Sequence, residues 1–230
     1  MAKLKRSKLD VIRLSWTYLV KCGLFVAALG IGGVQAAEPV KGGTFNVILH
    51  PAPSILVGAL TTAQPTVTVA PKIHDGLLTY DFDYNLKPQL ATSWAVSPDG
   101  KSITFNLRKG VKWHDGQDFT SADVAFSIML MKKFHPRGRG TFADVEAVDT
   151  PDSHTAILRL SRPAPYIMRA FPATESPIVP KHIYEGTDPK TNPNNIAPIG
   201  TGPFKFKEWV KGSHITLVRN PDYWDQPKPY

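Results

Sequence analysis

The stretch from Lys101 to Met131, KSITFNLRKGVKWHDGQDFTSADVAFSIMLM, constrains the fold more than any other part of the chain. Ile103, Phe105 and Leu107 alternate with Thr104, Asn106 and Arg108, the period of a half-buried strand. Gly110 breaks the ladder, and Val111 and Trp113 restart a short apolar run. His114-Asp115-Gly116 supplies a tight turn. Thr120 then stands as a helix N-cap with Asp123 three residues on, the spacing of a capping box. Val124, Ile128 and Met131 recur at helical spacing, and His135-Pro136 ends the helix because a residue before proline avoids the α region.

Two hairpins flank this helix in sequence. The first runs Ala91–Val96, a turn at Ser97-Pro98-Asp99-Gly100, and 101–108. The second runs 145–149, a turn at Thr150-Pro151-Asp152-Ser153, and 154–160, with Ala156, Leu158 and Leu160 alternating. Together they predict a small sheet covered by one helix, an α+β module. Earlier in the chain, Thr44–Leu49 (TFNVIL) reads as a short strand. Gln64-Pro65 opens a helix towards His74, with Pro71 kinking it or marking its first turn. Later, 166–171 reads as a short helix or turn, 186–199 as loop, and 203–219 as a hairpin around Lys211-Gly212.

The central stretch also carries a resemblance. L-R-x-G-V-x-[FW]-H-D-G-x-x-F-T-x-x-D-V-x-F-S is a signature of the bacterial extracellular solute-binding proteins of family 5, the peptide- and nickel-binding components of ABC importers. Here it reads Leu107-Arg108, Gly110-Val111, Trp113-His114-Asp115-Gly116, Phe119-Thr120, Asp123-Val124 and Phe126-Ser127. Asp75-Gly76-Leu77, Pro180-Lys181-His182-Ile183-Tyr184, Gly200-Thr201-Gly202-Pro203-Phe204 and Asn220-Pro221-Asp222-Tyr223-Trp224 are similar to further signatures of the family, in the same order. The resemblance implies a periplasmic-binding-protein-like fold of the class II type: the first lobe with the family's additional small α+β domain. It implies a division into 1–36, a signal peptide; 37–74, the start of the first lobe; 75–170, the small α+β domain; and 171–230, an incomplete return to the first lobe. Complete members are roughly twice as long, so the chain is expected to stop before the second ligand-binding lobe.

The N-terminus fits an exported protein. A basic region precedes the apolar run Cys22–Val34, and Val34-Gln35-Ala36 matches a small-x-small cleavage pattern, so cleavage is expected after Ala36. The run is short for a membrane span, which needs ~20 residues. The sole cysteine, Cys22, stands at the start of the apolar run, directly behind Lys21, which does not suit a lipoprotein anchor. The formal charge of +8 owes much to this leader, which holds six of 27 basic residues and one of 19 acidic ones. The remaining basic cluster, Lys132-Lys133 and Arg137-Gly138-Arg139, reads as a solvated loop, and no nucleic-acid partner is expected.

Catalytic patterns are lacking. There is no G-x-S-x-G elbow, no H-E-x-x-H and no P-loop. Asp81 and Asp83, two apart on a strand, do not define the gap a glycosidase pair needs. His182 and Glu185, three apart, are the best metal pair and read as surface polar residues. His114-Asp115 reads as turn chemistry. No enzyme activity, cofactor or metal is expected. The resemblance implies that the loop before the first helix contributes ligand contacts, which places Thr61, Thr62, Ala63 and Gln64 at the cleft; the same residues also suit an ordinary Thr-rich loop. Thr201 and Gly202 are a second candidate pair, or simply a turn leading into a strand. The expected role is capture of di- or oligopeptides in the periplasm and delivery to ABC permease subunits of the inner membrane. A nickel complex, an opine or an oligosaccharide is the alternative solute, and an exported hydrolase the distant one.

Overall fold

The computed structural model describes residues 42–225. The predicted leader and its cleavage site lie outside the described residues. No helix among them is long and apolar enough to cross a membrane.

The sheet forms as the alternation requires. Strands β1 (Leu78–Tyr80) and β2 (Leu86–Pro88) make a small hairpin. Strands β3 (Ala91–Val96), β4 (Ser102–Leu107), β5 (Val145–Asp152) and β6 (Thr155–Leu160) form an antiparallel sheet in the order β3-β4-β6-β5. Ile103 stands opposite Leu158, and Phe105 opposite Ala156, all on the buried face. Asn106 and Arg159 point to solvent on the other face, the one-sided burial common in antiparallel sheets. Phe171 closes the core edge-on to Phe105, ring centroids 4.8 Å apart. The second hairpin turns later than the sequence suggests. β5 runs on to Asp152 through a register shift between Asp149 and Asp152, and the Asp152 carboxylate accepts the His154 N–H.

Helix α1 spans Gln64–Ile73 and helix α2 spans Ser121–Phe134. Pro71 falls in the last turn of α1, where the helix is already ending, instead of its first. α2 begins with the predicted capping box: Asp123 accepts the Thr120 N–H at 2.8 Å. The other Asp123 oxygen accepts the Lys181 N–H at 2.9 Å, so one carboxylate caps α2 and holds the chain 58 residues away. Lower on α2, Ser127 exchanges two hydrogen bonds with the Val179 backbone. A four-residue helix α3 (Gly138–Thr141) occupies the basic segment read as a loop, and α4 spans Lys181–Tyr184. Strands β7 (Phe204–Val210) and β8 (His214–Arg219) form the last hairpin.

The expected strand at 44–49 is not formed. The segment pairs with no described strand, and Phe45 and Ile48 are 90% and 95% exposed. Only Leu49 packs inward, beside Leu56, Val69 and Ile73. Strand propensity yields a strand only where a partner supplies the ladder.

Asp123→Ala is expected to cost about 2 kcal/mol in denaturant unfolding, because it leaves two buried-side N–H donors without their acceptor. Thr120→Ala, which keeps the Lys181 contact, is expected to cost less.

Candidate functional site

The predicted ligand loop bridges a short 3₁₀ turn, Gly58–Leu60, and α1. Thr61 Oγ1 accepts the Ala63 N–H at 3.1 Å, which sets the entry angle of the chain. Thr66 Oγ1 donates to the Ile55 carbonyl at 2.6 Å and pins the first turn of α1. Thr62 and Gln64 are exposed, and Thr61 and Ala63 are half-buried. Ala63 is the N-cap residue and has no side-chain acceptor, so no side chain caps the first-turn amides of α1. The loop therefore combines a hydroxyl, an amide side chain and the positive end of a ten-residue helix.

The structure separates Thr201 and Gly202 from this loop in role. Both are buried, at the junction where the chain crosses itself. Thr201 Oγ1 donates to Asp75 Oδ2 at 3.0 Å. The Gly202 N–H donates to the Ile73 carbonyl at 2.8 Å. Neighbouring Gly200 lies so close to the end of α1 that a Cβ would sit 1.8 Å from the Ile73 oxygen. Gly76 is similarly tight: a Cβ there would meet the Phe171 carbonyl at 2.4 Å. Backbone-on-backbone crossing leaves no room for a side chain at either position.

Asp75 is the centre of the junction. It is fully buried and accepts four side-chain hydrogen bonds. Gln89 Nε2 donates at 2.8 Å, Thr201 Oγ1 at 3.0 Å, Tyr223 Oη at 3.3 Å and Trp224 Nε1 at 2.9 Å. Gln89 also accepts the Gly76 N–H, and Arg108 stacks over Trp224 at 4.3 Å. Burial pushes the carboxyl up from 3.8 to about 6, and the four donors oppose that shift without cancelling it. At neutral pH the carboxylate is mostly ionised, at a cost of about 3 kcal/mol relative to the unfolded chain.

His114 locks the same loop from the other side. Its Nδ1 accepts the Gly200 N–H at 3.2 Å, and its Nε2 lies 3.0 Å from the Gly202 carbonyl. That pair of partners fixes the neutral tautomer with the proton on Nε2. Burial lowers the ring to about 4. His74, wholly buried, is also lowered to about 4 by burial, with His114 adding to the effect. The Ala70 and Ile199 carbonyls favour its proton, yet neither ring nitrogen completes a hydrogen bond.

His182 and Glu185 do not form a pair. His182 Nε2 meets Asp115 Oδ2 at 2.7 Å, and Glu185 pairs with Lys181 at 3.3 Å. Among the described residues no group of three or more His, Cys, Asp or Glu side chains could hold a metal ion. The His114-Asp115 turn thus does more than turn: its two side chains reach residues 200–202 and 182. Sequence reasoning missed Asp75 and Gln89 as a junction. The acid before Gly76 was a visible signal, but nothing local marks partners 126 to 149 residues away.

Residues 85–230 match the family described as bacterial extracellular solute-binding proteins, family 5, middle part. The chain belongs to this family. Protein XP55 of Streptomyces lividans is 39% identical over 160 residues, covering 68% of this chain and 29% of its own length. The oligopeptide-binding protein AppA of Bacillus subtilis is 28% identical over 229 residues, covering 96% of this chain and 42% of AppA. The AppA structure in complex with a nonapeptide superposes with a TM-score of 0.69 at 29% identity, over 75% of this chain and 35% of AppA. The binding protein AgaA of A. tumefaciens R10, in complex with agropinic acid, gives a TM-score of 0.66 at 38% identity, over 76% of this chain and 35% of AgaA. The chain therefore spans less than half the length of these relatives. Their fold is the periplasmic-binding-protein fold, and this chain shares its mixed helix-and-sheet part.

Thr201→Val removes one donor from Asp75 at almost constant volume. The lost bond favours the ionised carboxylate, so the carboxyl should move above about 6. The variant is expected to lose about 1–2 kcal/mol at pH 7.5 and distinctly less at pH 5, where Asp75 is protonated in both proteins. Equal losses at the two pH values, in chemical denaturation, would show that the bond does not depend on the charge.

Proposed function

We propose that this chain is part of a solute receptor of an ABC importer, that its solute is a di- or oligopeptide, and that Thr61, Thr62, Ala63 and Gln64 contact it. Membership of the solute-binding family supports the receptor role. The likeness to AppA, whose structure holds a nonapeptide, supports the peptide. The loop's chemistry suits the task. A peptide presents carbonyls and a terminal carboxylate, and the positive end of α1, with the Gln64 amide at its exposed first position, suits such groups. Gln64 and Thr62 add side-chain donors and acceptors that do not depend on peptide sequence.

In this reading Thr201 and Gly202 act beneath the site. With Asp75 they hold the end of α1, and so the loop at its start, against the β7–β8 hairpin. Residues 37–74 and 171–230 belong to one lobe, and 75–170 form the small α+β domain. Residues 1–36 direct export and are removed, and permease subunits receive the solute. The likeness to AgaA supports a second reading, in which the same loop holds an opine.

Native mass spectrometry of the protein released from the periplasm of its host tests the proposal. The expected result is a peptide adduct of varied mass, shed on activation, that Thr62→Trp and Gln64→Lys lose without a change in Tm. A single non-peptide adduct would replace the peptide reading by the opine one. An adduct untouched by both variants would remove the loop from the site.

A further inference from the structure

The basic segment that reads as a solvated loop is folded into one wall of a cavity. Lys133, Phe134, His135, Pro136, Arg139 and Lys190 line an open cavity of about 370 Å³ at the C-terminal end of α2. Three of these six side chains carry permanent positive charge, and none is acidic. Lys133, Arg139 and Lys190 make no ion pair with a carboxylate among the described residues, whereas neighbouring Arg137 is paired with Glu175 at 3.7 Å. Lys132 spends its ammonium on the Ala143 and Val145 carbonyls.

None of the three cationic groups is placed by a carboxylate among the described residues. Lys133 lies over the Phe134 ring at 5.1 Å. Arg139 sits on α3, whose first residue, Gly138, passes so close to α2 that a Cβ would be 1.9 Å from the Met131 carbonyl. Lys190 comes from a distant loop that buried Asn195 fixes. Asn195 Nδ2 donates to the Pro189 carbonyl at 2.7 Å and to the Lys190 carbonyl at 3.3 Å. The Lys190 N–H donates to Asp188 Oδ1 at 3.0 Å, so the nearest acid on that loop holds backbone. Like charges gathered without a counter-ion repel one another, and a bound polyanion relieves that repulsion.

The geometry points to a binding site for a phosphate-type polyanion in this cavity, with Arg139 as the bidentate fork and Lys133 and Lys190 as point charges. The cavity adjoins the proposed peptide loop, because His135 on its wall faces the Thr61 backbone, but none of the three cations belongs to that loop. Its ligand is a free phosphate compound or the phosphate of a lipid headgroup, since both present the same oxygens.

Isothermal titration of the full chain with pyrophosphate and with inorganic phosphate, at low ionic strength, measures the free form. Sedimentation with phosphatidylglycerol vesicles, against phosphatidylcholine vesicles, measures the headgroup form. The expected result is saturable binding in at least one arm, weakened tenfold or more by Arg139→Gln and by Lys190→Gln. Lys207→Gln, an exposed lysine on β7, should leave it unchanged. Binding of free phosphate alone would assign a soluble ligand, and binding of anionic vesicles alone a membrane surface. No binding in either arm, or equal losses in all three variants, would overturn the site.

Discussion

A single buried carboxylate ties together segments that the sequence keeps far apart. Asp75 receives hydrogen bonds from Gln89, Thr201, Tyr223 and Trp224, which arrive on three separate stretches of chain. A buried acid is costly, and burial does push Asp75 up to about 6. Four donors make the ionised form tolerable. The packing around Asp75 is equally unforgiving. Gly76 and Gly200 let backbone cross backbone where a methyl group would collide. His114 then grips residues 200 and 202 through a neutral ring. Acid works on these groups in opposite directions. His74 and His114, lowered from 6.5 to about 4, contribute stability that is present above pH 6.5 and lost as pH falls towards 4. Asp75, raised from 3.8 to about 6, contributes stability that is full below 3.8 and lost as pH rises through 6. Two histidines against one acid leave the fold weaker in acid.

In the proposed function this junction matters because of what lies at the other end of α1. The helix ends at Ile73, on the Gly200–Gly202 crossing, and begins at the Thr61–Gln64 loop. A ligand contact is useful only if the atoms that make it are held still. The junction supplies that constraint from below, and the Thr66 bond to the Ile55 carbonyl supplies it locally. The sheet and α2 share one hydrophobic core with Val57, Leu77 and Val179, and Asp123 and Ser127 add hydrogen bonds to the chain at 179–181.

The sheet, its covering helix and the family were legible in the sequence because their signals are local. Alternation at Ile103, Phe105 and Leu107 is a property of one strand, and the Thr120–Asp123 box of one helix turn. The resemblance carried the order of the signatures, but not the reason they occur. Asp75, Thr201, Tyr223 and Trp224 stand in three of those signatures, and the structure shows them meeting at one point. No periodicity reveals such a meeting. The residues at 44–49 erred the other way: their propensity is strong, but a strand also needs a neighbour, which propensity does not report. The basic cluster at 132–139 faces solvent as its sequence suggests, with Lys133, Arg137 and Arg139 exposed; that Lys190 shares its cavity was not legible because Lys190 is remote in sequence.

The most direct measurement is the ionisation of Asp75 itself, followed by carbon NMR of a selectively labelled side-chain carboxyl. A carboxylate wholly buried among four neutral donors should titrate near 6. A midpoint at or below the ordinary carboxylate value of 3.8 would mean that burial does not outweigh the four donors, and would contradict the account of Asp75 as a carboxylate that is costly to ionise.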